Sequence, residues 1–215
     1  MQHPGDCSDV PPVGSREIVA DQDATIYMFR LTVDNSVAGY TEDIYLCINI
    51  SNLFFEDPPQ KCGASPPIYS YAAAQRFERG LMIWLETTDE FFIFWDDAND
   101  QTYDPFTVVS GPLQLKPGAS VDNRVGDVPD GYYEPVSGFG LLWRGEVAGR
   151  EALRESLGWA LQPEFGFETV YQHGITSAWH YFDRYIRDPD GRVRYLWGQT
   201  YLGTHWNYVE ESQSE

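Results

Sequence analysis

Short runs of aromatic and β-branched residues, fenced by turn formers, recur along this chain, and they restrict it to a mainly β fold. Ile26 to Val33 and Ile44 to Ile50 read as strands on either side of Asp34-Asn35 and Gly39, giving an N-terminal β-hairpin or small sheet. Arg76 to Trp84 and Phe91 to Trp95 read as two apolar strands joined by the acidic turn Glu86-Thr87-Thr88-Asp89. Tyr181 to Arg187 and Arg192 to Trp197 flank Asp188-Pro189-Asp190-Gly191, with Pro and Gly where a type I turn and bulge want them. One helix is predicted, over Arg150 to Leu157, a stretch of strong helix formers that stops at Gly158. Its Leu153 and Leu157 lie four apart, so they share a buried face, with Trp143 and Trp159 as neighbours. The expected fold class is mainly β with minor α content: repeat-like β-hairpins packed with one short helix.

Turn-rich connectors divide the chain. Residues 1–15 read as an extended lead-in, 16–69 as an N-terminal β region, 70–209 as a domain of aromatic hairpins, and 210–215 as a polar tail. Within the hairpin domain, Gln75 to Trp95 and Gln172 to Trp197 share a layout: a Gln, an aromatic residue and Gly, a Trp, a polar turn, then an aromatic strand ending in Trp. Each such unit is a hairpin that cannot bury its face alone, so packing against a neighbour is expected.

Charge and cysteine usage narrow the function. The net charge is −19, from 33 acidic and 14 basic side chains, and Lys61 and Lys116 are the only lysines. That field repels phosphate backbones and anionic bilayer surfaces, so nucleic acid is not an expected partner and membrane association is disfavoured. No apolar run is long enough to span a bilayer as a helix, so no membrane insertion is expected. Met1-Gln2-His3-Pro4 has neither the basic start nor the apolar core of a signal peptide. Three cysteines among turn formers argue for export all the same, and a secreted or cell-surface protein is the expectation. Cys47 and Cys62 bracket a turn-rich stretch and are paired as a candidate disulfide, contributing roughly 3 kcal/mol; pairings through Cys7 remain open.

Several motifs resemble a known group. Gln75-Arg76-Phe77-Glu78-Arg79-Gly80-Leu81-Met82-Ile83-Trp84, then Gly138-Phe139-Gly140-Leu141-Leu142-Trp143, then Leu157-Gly158-Trp159-Ala160, resemble an uncharacterised family of exported bacterial envelope proteins. The likeness covers roughly residues 70–175. More distantly, the chain is similar to the LGFP repeats of actinobacterial wall-associated proteins, which pair a short helix with an aromatic hairpin. Those repeats are implicated in cell-wall attachment, and the resemblance implies the same role and a bacterial cell-surface location. Residues 173–186 depart from the pattern, because His173-Gly174-Ile175-Thr176-Ser177-Ala178-Trp179 stands where a second Phe-Glu-Arg-Gly hairpin belongs.

The chemistry points to binding more than to catalysis. The chain holds 7 Trp, more than a core of this size needs, so some are expected to line a groove. Trp84, Trp143, Trp159 and Trp179 are the candidate ligand-binding aromatics, and Arg76, Arg79 and Arg144 the candidate grips for carboxylates or hydroxyls. The expected partner is cell-wall polysaccharide or an envelope protein; a structural subunit of a surface assembly is the alternative. Glycoside hydrolysis is the enzyme class that fits acids among aromatics, with Glu78, Glu134, Glu164, Glu168 and Asp183 as candidate carboxyls, but no spacing selects a pair. No cofactor or metal is expected. The acidic loop Asp96 to Asp104 lacks the Gly and the bidentate Glu of an EF-hand, and His173, His180 and His205 lack helical metal-ligand spacing.

Overall fold

The computed structural model describes residues 26–35, 38–47, 53–55, 65–96, 104–174, 182–199 and 203–209. Cys7, Cys62, Trp179, His180, the lead-in, the polar tail and residues 97–103 of the acidic loop lie outside the described residues, as does the expected Cys47–Cys62 pairing.

The fold is mainly β. Strands β1 (Ile26–Asn35) and β2 (Ala38–Cys47) pair antiparallel into the expected N-terminal hairpin, with Ile26 opposite Cys47. The remaining strands are β3 (Ile68–Phe77), β4 (Gly80–Leu85), β5 (Glu90–Trp95), β6 (Asp104–Ser110), β7 (Phe165–His173), β8 (Phe182–Arg187), β9 (Val193–Gln199) and β10 (Gly203–Tyr208). They close into one antiparallel barrel in the order β10-β6-β5-β4-β3-β7-β8-β9. The ring is two four-stranded meanders, β3 to β6 and β7 to β10, that meet at β3–β7 and β6–β10. The two similar stretches of sequence supply β3 to β5 and β7 to β9. They join edge to edge, where packing of hairpin faces is the sequence expectation; closure satisfies the edge strands of both units at once.

An eight-stranded barrel leaves a lumen just wide enough for side chains. Here Leu81, Ile83 and Leu85 of β4, Phe92 and Phe94 of β5, Tyr171, Ile186, Leu196 and Trp206 fill it, with the small Ala72 and Ala74 on β3 making room for the rings. Two ion pairs lie among them. Arg184 of β8 reaches Glu90 of β5 at 3.1 Å. Arg194 of β9 is buried against Phe94 and Trp206, donates from Nε to both Asp188 oxygens at 2.7 and 2.8 Å, and donates to the Tyr208 hydroxyl at 2.7 Å.

A second core lies outside the barrel. Residues 111–161 fold over the outer faces of β3 to β6 and bury Ala73, Phe77, Met82, Phe91, Ile93 and Val109 under Phe139, Leu142, Trp143 and Leu157. This explains why Phe91-Phe92-Ile93-Phe94-Trp95 does not alternate with polar residues: β5 buries one side in the lumen and the other beneath the cover. The cover holds helix α1 (Ser137–Arg144) and the single turn α2 (Arg154–Leu157). The helix expected over 150–157 is thus shortened to its last turn, ending at Gly158 as its C-terminal glycine suggests. Residues 150–153 instead turn back on α1, with the Leu153 N–H donating to the Leu142 carbonyl. Helix α1 is not legible from propensity, since Ser-Gly-Phe-Gly opens it, but burial of Phe139, Leu142 and Trp143 outweighs that cost.

The strand expected over Arg76 to Trp84 is broken by a turn at Glu78-Arg79, which docks on the cover. The Glu78 and Arg79 N–H groups donate to the carbonyls of Trp159 and Leu157, and the Leu161 N–H donates to the Arg76 carbonyl. The Glu78 carboxylate accepts the Trp159 N–H at 2.8 Å. Gly158 is required there, because its φ is +78° and a Cβ would lie 2.3 Å from the Glu78 carboxylate. The three motifs behind the family resemblance are therefore one interlocked contact: Trp143 Nε1 also donates to the Gly158 carbonyl at 2.7 Å.

Asp188→Asn tests the lumen. With Arg194 and Asp188 only 2% and 3% exposed, removing the charge strands a buried guanidinium. The expected loss of stability is about 3–5 kcal/mol, read from urea unfolding. A loss under about 1 kcal/mol would show that Asp188 does not compensate Arg194.

Candidate ligand-binding site

The cover does not seal the outer face of the barrel completely. Ala73, Trp84 and Phe91 stand side by side on β3, β4 and β5, since Ala73 pairs with Trp84 and Trp84 with Phe91. The alanine leaves space beside the half-buried indole, and a cavity of 350 Å³ opens there. That volume lies within the range of small-molecule sites. Pro112 and Leu113 form one wall, Ser137, Gly138 and Phe139 at the start of α1 another, and Asp89 and Glu164 supply carboxylates.

Each wall has a local cause. The Trp84 and Phe91 rings lie 6.4 Å apart, and Phe139 meets Phe91 edge-on at 5.9 Å. Helix α1 can come this close because residue 138 is Gly; a Cβ there would sit 2.6 Å from the Phe91 ring. Asp89 adopts φ +48°, a left-handed conformation that Asp tolerates better than most residues. From there its carboxylate accepts the Trp84 Nε1–H at 2.9 Å and sets the plane of the indole. Among the described residues no side chain caps α1, so its first-turn N–H groups are left without a capping oxygen there. The cavity thus offers flat aromatic faces with polar groups at the rim, a combination suited to a ring that is apolar on one face and hydroxylated at its edge.

Glu164 lines the cavity from the segment before β7. The residue is exposed, yet the apolar wall strips water from its carboxyl, and this desolvation raises its pKa above the ordinary value.

Of the residues singled out by sequence, Trp84 lines this cavity. Trp143 is fully buried in the outer core, so it has no face to offer a ligand. Its ring lies 5.0 Å from that of the partly buried Trp159. Arg79 donates to the Glu155 and Ser156 carbonyls at 2.6 and 2.8 Å, closing α2 onto the barrel, and Arg76 pairs with Asp96. Arg144 ties the cover together through Glu146 at 3.1 Å and Glu134 at 3.8 Å. Among the candidate carboxyls, Glu78 and Glu134 are engaged by backbone N–H groups, Asp183 by the Tyr195 hydroxyl, and Glu168 is exposed on β7. His173 lies beside the Arg184–Glu90 pair, its pKa lowered by burial, while His205 stacks on Trp197; the two do not converge. Among the described residues no group of three or more His, Cys, Asp or Glu is placed to hold a metal.

Sequence reasoning missed Asp89, Phe91, Leu113, Phe139 and the start of α1 as site residues. Asp89 presents itself only as a turn residue, and nothing local to residues 111–139 signals that they return to β4.

No family model, curated protein or solved structure matches this chain.

Glu164→Gln tests the electrostatics of the rim. A carboxyl whose pKa rises on folding stabilises the fold fully below its ordinary pKa, and that contribution is lost as pH rises through the folded value. The variant is therefore expected to melt higher than the parent near pH ~7 and together with it near pH ~3. A lower melting temperature of the variant near pH ~7 would contradict the desolvation of Glu164.

Proposed function

We propose that this chain is a non-catalytic binding module of the bacterial cell surface, and that the Trp84 cavity takes a sugar ring of cell-wall polysaccharide. The observation that carries the reading is the cavity itself, with Trp84, Phe91 and Phe139 as its apolar faces and the Asp89 and Glu164 carboxylates at its edge. Aromatic faces bind the C–H face of a pyranose, and carboxylates accept hydrogen bonds from its hydroxyl groups. The anchoring of Trp84 by Asp89 presents that face ready-made, which lowers the ordering cost of binding. The resemblance to exported envelope proteins and wall-attachment repeats points the same way, as does the acidic surface that disfavours nucleic acid. No described helix is long and apolar enough to cross a membrane.

Acid/base hydrolysis of the same sugar has one observation in its favour, the raised pKa of Glu164 in the cavity that also holds Asp89. Turnover of wall polysaccharide that disappears in Glu164→Gln would establish that reading instead.

Intrinsic tryptophan fluorescence titrated with soluble wall-polysaccharide fragments, alongside retention on insoluble wall, tests the binding module. A saturable shift is expected, with Trp84→Ala weakening affinity by about tenfold or more. Equal affinity of parent and Trp84→Ala would remove the cavity from the account, and absence of both shift and retention would remove carbohydrate binding.

A further inference from the structure

A second cavity of 350 Å³ lies in the cover, and its chemistry differs from the first. Arginines from three separate segments reach it: Arg124 from the loop before α1, Arg144 from the last turn of α1, and Arg154 from the start of α2. Glu146 is the one carboxylate in its lining. That carboxylate is already committed to Arg144 at 3.1 Å and to the Asn123 amide at 2.8 Å, contacts that lower its pKa. Among the described residues Arg124 donates only to the Val121 and Asn123 carbonyls, at 2.9 and 2.8 Å. The Arg154 guanidinium rests on the rings of Trp143 and Trp159, 5.1 and 4.7 Å from their centroids. Neither Arg124 nor Arg154 meets a carboxylate among the described residues. Behind them Arg144 is only 6% exposed, and its Nε–H is buried without a partner among the described residues.

In a chain with 33 acidic and 14 basic side chains, two arginines that face one cavity and meet no carboxylate among the described residues are not explained by ion pairing. We propose that this cavity is a carboxylate-binding subsite that takes the acid group of a uronic sugar. Arg154 and Arg124 supply planar forks that match a carboxylate, and the Trp143–Trp159 pair holds the Arg154 fork in orientation by stacking. The net charge of −19 selects against polyanions, which the whole surface repels, and leaves a single carboxylate on an otherwise neutral molecule as the fitting ligand. The sugar part of this assignment rests on the saccharide reading of the Trp84 cavity; the carboxylate part rests on the arginines alone.

The test is calorimetric titration of the full chain with glucuronate, glucose and acetate in turn, at low and high salt. Glucuronate is expected to bind with an affinity that falls as salt rises. Arg154→Ala and Arg124→Ala, both exposed residues whose variants are checked for unchanged melting, are expected to weaken it tenfold or more. Arg154→Lys, which keeps the charge and loses the fork, is expected to lose several-fold. Acetate is expected to bind more weakly at the same arginines. Glucuronate affinity that is unaltered in both alanine variants, or that equals glucose affinity at every salt concentration, would overturn the subsite. Binding of glucuronate without any binding of wall polysaccharide at Trp84 would overturn the proposed function and leave this subsite standing.

Discussion

The turn at Glu78-Arg79 holds the outer layer to the barrel. Its two N–H groups, the Glu78 carboxylate and the Arg79 guanidinium all bond to main-chain atoms between Glu155 and Trp159. Those bonds settle where α2 ends, and Gly158 in turn accepts the indole N–H of Trp143 in α1. Once α1 is seated by this chain of contacts, Phe139 reaches Phe91 and Gly138 closes on the same ring. The Trp84 cavity is what remains uncovered beside Ala73. The cavity on this face is therefore a consequence of how the cover docks, and its shape depends on residues that never touch it.

The barrel beneath has two similar halves put to different uses. Each half begins with a strand bearing a buried glutamine whose amide binds main chain: Gln75 donates to the Gln162 carbonyl, and Gln172 accepts the Phe54 N–H and donates to the Ser65 carbonyl. In the first half that glutamine helps seat the cover, with its helix and both cavities. In the second it holds segments that precede the barrel, and the outer face carries Tyr185, Tyr195 and Trp197. The departure of residues 173–186 from the repeated pattern falls in the half without α1. The two meanders thus close on each other, and the first carries the layer that holds both cavities.

Strands were legible where the local code is strong: the alternating runs around Asp188-Pro189-Asp190-Gly191 and the turn at Glu86 to Asp89 stand where sequence puts them. Closure was not legible, because β3–β7 and β6–β10 pairings join residues far apart in sequence that carry no local mark. Helix α1 was hidden by its glycines, whose purpose is close approach to Phe91 and Pro135. The same distinction applies to the sites. Large motif residues such as Trp143 and Arg79 advertise themselves in sequence yet serve packing and hydrogen bonding. Asp89, Arg124 and Arg154 look like ordinary turn or surface residues until the cover brings them to a cavity.

Hydrogen–deuterium exchange of the full chain, alone and with neutral wall-polysaccharide fragments, most directly tests whether the motif turn is scaffold and the neighbouring cavity the site. Slower exchange is expected in the peptides spanning 84–91, 111–113 and 137–139 when the fragments are present, with no change at 76–80. Protection confined to 76–80, with the other three segments unaltered, would mean that the turn itself meets the ligand and would contradict its role as scaffold.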